Sequence, residues 1–179
     1  IISLIVLLPA GLLLGLLIRL DSVGPVLYSH ERIGRYGKPF RLYKFRSMFT
    51  DAEENGPRLS SKDDPRVTRV GRFMRRTRLD EVPNFFNVLK GDMSLVGPRP
   101  ERQYYIDQIE RIAPEYVHLR KVKPGITSLG QVKFGYAESV DQMVQRMRYD
   151  LIYVENMSLV LDIKILAYTI FTILRRKGI

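Results

Sequence analysis

Along the chain the apolar positions change their period several times, and each change marks an element. From Ile1 to Ile18 no side chain is charged, and a straight helix of that length reaches roughly 27 Å, close to the apolar thickness of a bilayer. Pro9, followed by Gly11 and Gly15, removes a backbone hydrogen bond and kinks the axis. The segment therefore predicts either a straight spanning helix or one that bends in the lipid and leaves on the face it entered. A cleaved secretory leader is the weaker reading, because it needs a basic start and a small-residue cleavage site, whereas this run continues into Arg19-Leu20-Asp21. The chain begins inside the apolar run, which predicts a piece of a longer protein, and the basic composition after Asp21 puts the remainder on the cytoplasmic side.

Beyond Asp21 short strands are expected at Val26 to Ser29 and Phe40 to Met48, joined through Gly34-Arg35-Tyr36-Gly37-Lys38-Pro39, whose glycines and proline suit a hairpin. Lys44 and Arg46 share one face of the second strand. Asp51 to Asp64 has no period and reads as a mobile surface loop of the kind that closes over substrates. Val67, Val70, Phe73 and Met74 recur at helical spacing with arginines on the complementary face, from Arg66 to Arg78. A short helix is expected at Asp80 to Leu89, then a loop enforced by Gly91, Gly97, Pro98 and Pro100. Amphipathic helices come next, at Glu101 to Ile112 and Val140 to Val154. A last one, Leu159 to Arg176, has an unbroken apolar run, Ile165 to Leu174, that is too short to span and suits the lipid interface. The fold class is α+β, mainly helical: residues 1–20 form a membrane helix and residues 21–179 a single cytoplasmic domain holding a small β-hairpin and interfacial amphipathic helices.

Composition narrows the partners. With 29 lysines and arginines against 19 acids the formal charge is +10, so the ligand is anionic: nucleic acid, acidic lipid and sugar nucleotide all qualify. There is no cysteine and only two histidines, which removes disulfides, thiol nucleophiles and cysteine-ligated metals. No phosphate-loop lysine signature and no GxGxxG is present.

Among so many arginines Asp80-Glu81 stand out, directly after Arg75-Arg76-Thr77-Arg78-Leu79. Spacing leaves two readings open. Thr77-Arg78-Leu79-Asp80 resembles a capping box, and acids in a first helical turn are common; equally, a carboxylate beside arginines is where a phosphate is gripped and attacked, with a divalent metal offsetting repulsion between anions. Pro98-Arg99-Pro100 fixes a guanidinium between two prolines, and Lys123-Pro124-Gly125 pairs a cation with a turn whose backbone can approach an anion.

Taken together, Phe40-Arg41-Leu42-Tyr43-Lys44-Phe45-Arg46-Ser47-Met48, Leu79-Asp80-Glu81-Val82-Pro83-Asn84, the run from Phe86 to Pro100 that contains Gly91-Asp92-Met93-Ser94-Leu95-Val96-Gly97-Pro98-Arg99-Pro100, and Lys123-Pro124-Gly125-Ile126-Thr127 closely resemble the bacterial sugar transferase family, the monotopic polyprenyl-phosphate phosphoglycosyl transferases. The resemblance covers essentially the whole chain. It implies a transferase that moves a sugar 1-phosphate from a nucleotide diphosphate sugar to polyprenyl phosphate, usually undecaprenyl phosphate, and releases a nucleoside monophosphate at the start of a surface glycan such as exopolysaccharide, capsule or O-antigen. Asp80 and Glu81 match the family's catalytic dyad, with Asp80 the nucleophile that forms a phospho-aspartyl sugar intermediate and the residue close to Mg2+. Arg75, Arg99 and Lys123 match basic residues of the family's phosphate and nucleotide site, and Lys44 and Arg46 join them as substrate-binding candidates.

The expected partners are the two substrates and membrane lipids, with no nucleic acid; a second copy of the chain is left open. The expected location is the cytoplasmic face of the bacterial inner membrane. Pro9 matches the family's helix-breaking proline and so favours the re-entrant form, although Leu8 stands where many members have serine. Ser128 stands where glycine is usual, which implies an altered turn or sugar pocket. Larger members carry further membrane helices and another domain upstream. The residues alone leave two rivals: a nucleic-acid module using the Arg66 to Arg78 helix, which has no reason to carry Asp80-Glu81, and a catalytically idle scaffold for anionic lipid.

Overall fold

The computed structural model describes residues 2–174 apart from Asn55 and Lys62, and side chains from residue 11 to residue 173. The backbone is helical from Ile2 to Asp21 (α1), Pro9 included; the side chains of Leu8 and Pro9 and the basic cluster Arg175-Arg176-Lys177 lie outside the described residues. Among the described residues no helix is long and apolar enough to cross a membrane.

After α1 the chain enters an antiparallel hairpin, β1 (Leu27–Ile33) against β2 (Pro39–Phe45), in register from Leu27 opposite Phe45 to Ile33 opposite Pro39. The turn uses left-handed backbone at Tyr36 (φ 59°) and Gly37 (φ 74°). β1 runs four residues past the expected end, because Tyr28, His30 and Arg32 alternate on one strand face and a polar face hides the apolar signal of a strand. β2 stops at Phe45 rather than Met48, since Arg46 turns back to α1 and Met48 bridges to Val67.

Thr68 opens α2 (Arg69–Thr77) by accepting the Gly71 amide at 3.0 Å. A Cβ on Gly71 would stand 2.0 Å from the Ser47 carbonyl oxygen, so glycine is what lets α2 lie on the exit of β2. The expected helix at Asp80 to Leu89 is split into a 3-10 turn (Leu79–Glu81) and α3 (Asn84–Lys90). Arg78 in left-handed backbone (φ 58°) ends α2, and Pro83, with no N–H to offer, stands at the start of α3. Thr77 does not cap the 3-10 turn: its hydroxyl donates back to the carbonyls of Phe73 (2.9 Å) and Met74 (3.2 Å), closing α2.

Where only loops were expected, β3 (Ser94–Val96) and β4 (Gly125–Thr127) form a short parallel pair. A Cβ on Gly97 would lie 2.4 Å from the Lys123 oxygen, and one on Gly125 2.2 Å from the Gly97 nitrogen. These two glycines serve close backbone approach. Between the strands run α4 (Gln103–Ile112) and a 3-10 stretch (Pro114–Lys121). Ser128, fully buried, caps α5 (Leu129–Lys133) by accepting the Gln131 amide at 2.9 Å. α6 (Val140–Glu155) and α7 (Leu159–Leu174) complete the chain.

Three apolar clusters hold these elements. The largest joins α4, the 3-10 stretch and α6 through Ile106, Ile109, Tyr116, Leu119, Met143 and Met147. A second locks the end of α1 to β2 and α2 through Leu14, Ile18, Phe45 and Met74; a third seats α7 by Ile165 against Val96 and Tyr153. Outside these seams α1 exposes Leu12, Leu13, Leu16 and Leu20, and α7 exposes Leu159, Val160, Ile163 and Ile170. Both helices pack on α2, whose Phe73 is also exposed. Exposed apolar residues in this number mark a surface made to be covered.

Candidate active site

Asp80 and Glu81 occupy the 3-10 turn between α2 and α3, where the left-handed Arg78 redirects the chain and both carboxylates turn inward, 6% and 7% exposed. β2 runs beside the turn, and Lys44 Nζ donates to Glu81 Oε1 at 2.7 Å. Arg99 Nη2 reaches the same oxygen at 3.5 Å, and Arg78 Nη1 lies 3.7 Å from Oε2. Burial alone would raise the Glu81 pKa, but Lys44, Arg99 and Arg78 together outweigh it and hold this carboxyl well below the usual range. Asp80 differs. Burial pushes it above the ordinary carboxyl value, Lys44 draws it back, and the neighbouring Glu81 charge adds to the upward shift. Its Oδ1 is buried and meets no donor among the described residues.

Asp80 lines a cavity of about 340 Å³ bounded by β1, β2, the 50–60 loop, Arg75, Arg99 and α6. A smaller hollow of about 40 Å³ is lined by both carboxylates with Lys44, Arg75, Arg78, Arg99 and Tyr136, and shares Lys44, Arg75, Asp80, Arg99 and Tyr136 with the larger cavity. Arg75 is held by donating Nε to Ser47 Oγ (3.0 Å) and Nη1 to Ser60 Oγ (2.6 Å). Arg99 is fixed through its backbone, flanked by prolines, with its amide 3.4 Å from Asp150 Oδ2. Asp150 also accepts the Gly130 amide at 2.7 Å, and burial pushes its carboxyl up to about 6 against those hydrogen bonds.

Of the residues expected from sequence, the structure brings Asp80, Glu81, Lys44, Arg75 and Arg99 together. It does not bring Lys123, which is exposed with its Nζ beside Gly91 at the end of α3. Pairing of Gly125 with β3 fixes the backbone two residues later and leaves the preceding lysine outside the cavity. Arg46 lines the larger cavity, yet its guanidinium is engaged elsewhere. It is 4% exposed, and its guanidinium donates to the carbonyls of Ile18 (3.3 Å), Ser22 (2.7 Å) and Val23, so it closes the C-terminus of α1, where a cation suits the orphaned carbonyls.

A buried network went unread in the sequence. Glu101 accepts from Arg32 Nη1 (2.9 Å) and Arg146 Nη2 (2.5 Å), and Arg32 Nε donates to His30 Nε2 at 2.7 Å. Because Nε2 accepts, the imidazole is neutral; burial drives its pKa far down, and the charges of Arg32, Lys44, Arg102 and Arg99 drive it further. The period-two run Tyr28, His30, Arg32 carried the signal, since it turns three polar side chains to one face.

Magnesium fits the residues present in one way. Among the described residues no group of three His, Asp or Glu side chains could cage an ion. The cation is usually held by one or two carboxylates plus substrate phosphates, and the donorless Asp80 oxygen is the acceptor such a site needs.

Compared with known proteins, residues 1–176 match the sequence model described as bacterial sugar transferase. A UDP-N-acetylgalactosamine-undecaprenyl-phosphate N-acetylgalactosaminephosphotransferase from Aeromonas hydrophila is 46% identical over 170 residues, covering 95% of this chain and 40% of the relative. A UDP-glucose:undecaprenyl-phosphate glucose-1-phosphate transferase from Klebsiella pneumoniae is 41% identical over 170 residues, covering 94% and 37%. An exopolysaccharide production protein from Rhizobium leguminosarum bv. phaseoli is 40% identical over 185 residues, covering 97% and 90%. The chain thus spans about two fifths of the first two relatives and most of the third.

Proposed function

Because the chain belongs to the bacterial sugar transferase family, we propose that it moves a sugar 1-phosphate from a uridine diphosphate sugar to undecaprenyl phosphate, releasing the nucleoside monophosphate and starting a surface glycan. The observation that carries this reading is the division of labour in the dyad. Glu81 takes the direct cation contacts, while Asp80 keeps a buried oxygen with no donor beside Arg75 and Arg99. In the first half-reaction an Asp80 carboxylate oxygen attacks the sugar-bearing phosphorus, and the bond to the nucleoside monophosphate breaks. In the second an oxygen of the lipid phosphate attacks the same phosphorus, and the bond to Asp80 breaks. Arg75 and Arg99 bind phosphate oxygens, and Glu81 keeps Lys44 and Arg99 in place. Magnesium, held by Asp80 and donor phosphate oxygens, would offset the charge of the anions brought together.

The exposed apolar residues of α1 and α7 suit a seat at the cytoplasmic face of the inner membrane, with α1 re-entrant and α7 flat in the interface. There the soluble donor and the lipid phosphate both reach Asp80. An idle scaffold for anionic lipid has no use for a buried, donorless carboxylate, whose desolvation is a cost without return. The test is a panel of nucleotide sugars assayed for monophosphate release with and without undecaprenyl phosphate. Release that depends on magnesium and on one or a few uridine diphosphate sugars is expected; no release from any donor sinks the transferase reading. Tags before Ile1 and after Ile179 should be accessible from the same side of the membrane, and opposite sides would rule out the re-entrant seat.

A further inference from the structure

The cavity beside Asp80 is walled by eight lysine and arginine side chains, and their partners inside the protein sort them. Arg32 and Arg146 share Glu101, Arg102 takes Glu53, Lys44 and Arg99 take Glu81, and Arg46 is bound to three carbonyls. Two remain that form no ion pair with the described residues. Arg75 donates only to the hydroxyls of Ser47 and Ser60. Arg58 is exposed, lines the cavity, and makes no hydrogen bond or ion pair with the described residues.

The backbone that carries Arg58 is nevertheless held in place, because its neighbours in the loop are pinned from several sides. Upstream, Glu53 accepts from Tyr28 Oη at 2.9 Å and pairs with Arg102 Nη2 at 2.7 Å. Arg66, itself anchored to Asp64, donates to the carbonyls of Ala52 and Leu59, both at 3.1 Å. Downstream, Ser60 Oγ donates to Asp64 Oδ2 (3.0 Å) and accepts from Arg75 Nη1 (2.6 Å). The residue just after Arg58 and the one after that are thus both tied down, one of them to Arg75. A free guanidinium on a pinned backbone loses little freedom when an anion arrives.

We propose that Arg58 is a donor-binding residue carried by the 50–60 loop, gripping the diphosphate of the nucleotide sugar together with Arg75; this rests on the transferase function proposed above. The loop's own charge favours the donor over the lipid acceptor as the phosphate it meets. From Asp51 to Asp64 the chain carries five acids against two bases, a segment that anionic headgroups repel. Among the described residues from Asp51 to Asp64 no large apolar side chain is exposed, whereas α1 and α7 each expose several.

Two measurements on the whole chain in detergent micelles test it. Arg58→Ala should raise the KM for the nucleotide sugar about tenfold, the loss of one charge-assisted phosphate contact, with kcat changed less than KM and the KM for undecaprenyl phosphate unmoved. Arg58→Lys should recover part of the loss, since it keeps the charge without the planar fork. Calorimetric binding of UDP alone reads the contact without turnover and should also weaken about tenfold in Arg58→Ala. Unchanged UDP affinity overturns the inference, as does a rise confined to the acceptor KM. A wild-type chain that binds UDP more tightly than Arg58→Ala yet releases no monophosphate supports the contact and refutes the transferase reading.

Discussion

Asp80→Asn is expected to lose transfer by at least about a thousandfold, since the residue that forms the covalent bond has no substitute nearby. The other carboxylate of the turn is already engaged: Glu81 is bonded to Lys44 at 2.7 Å and faces Arg99 and Arg78, with its charge held firmly in place. It cannot swing to the donor without stranding a buried lysine. The same variant should fold normally. Asp80 is buried with an oxygen that meets no donor, so an amide of the same shape removes an anion from a desolvated position and breaks no hydrogen bond to that oxygen. Monophosphate release and a melting curve on the same preparation check both halves. Intact-mass measurement after brief exposure of the wild type to donor alone should show a sugar-phosphate adduct, absent from Asp80→Asn. Turnover by the variant near the wild-type rate would falsify the covalent route.

The pairing of Asp80 with Glu81 was legible because the two residues are adjacent in the chain, and the helix periods of α2, α4 and α6 were strong enough to be placed within a few residues. Lys123 and Arg46 show what a motif does not reveal. A motif says which backbone segments meet, whereas the direction of each side chain depends on pairings formed elsewhere. For Lys123 that is the contact of Gly125 with Gly97; for Arg46 it is the bare end of α1 with its unsatisfied carbonyls. The parallel pair β3 and β4 was hidden for a different reason. Strands of three residues are too short to show a period, and glycines that permit close approach look in sequence like glycines that make turns. The Glu101 network was hidden because its members come from β1, the loop before α4 and α6, so no local window contains them.

That network sets the second large effect expected, on stability rather than chemistry. Glu101 is 5% exposed and is the acceptor for two arginines, Arg32 and Arg146, whose side chains are themselves largely buried. Arg32 has other acceptors in His30 Nε2 and the Pro100 carbonyl, whereas Arg146, apart from Glu101, donates to none of the described residues. Glu101→Ala therefore strands a buried guanidinium, a change that costs about 3 to 5 kcal/mol when one partner of a buried pair is removed. For a chain of this size that corresponds to a fall in Tm on the order of 10 °C. Glu101→Gln keeps one acceptor oxygen and should lose less. Glu101→Ala combined with Arg146→Met removes the stranded charge as well and should regain part of the deficit, a non-additivity that residues in one ion-pair network show. A Tm for Glu101→Ala within about 2 °C of the wild type would show that the network contributes nothing. The network matters to the site through its position. Glu101 comes directly after Arg99 and Pro100, its carbonyl accepts the Ile33 amide at 3.0 Å, and its carboxylate ties that segment to β1 and α6. The ion pairs thus hold the loop that presents Arg99 to the dyad against two rigid elements, so that the guanidinium meets a phosphate without first having to be ordered.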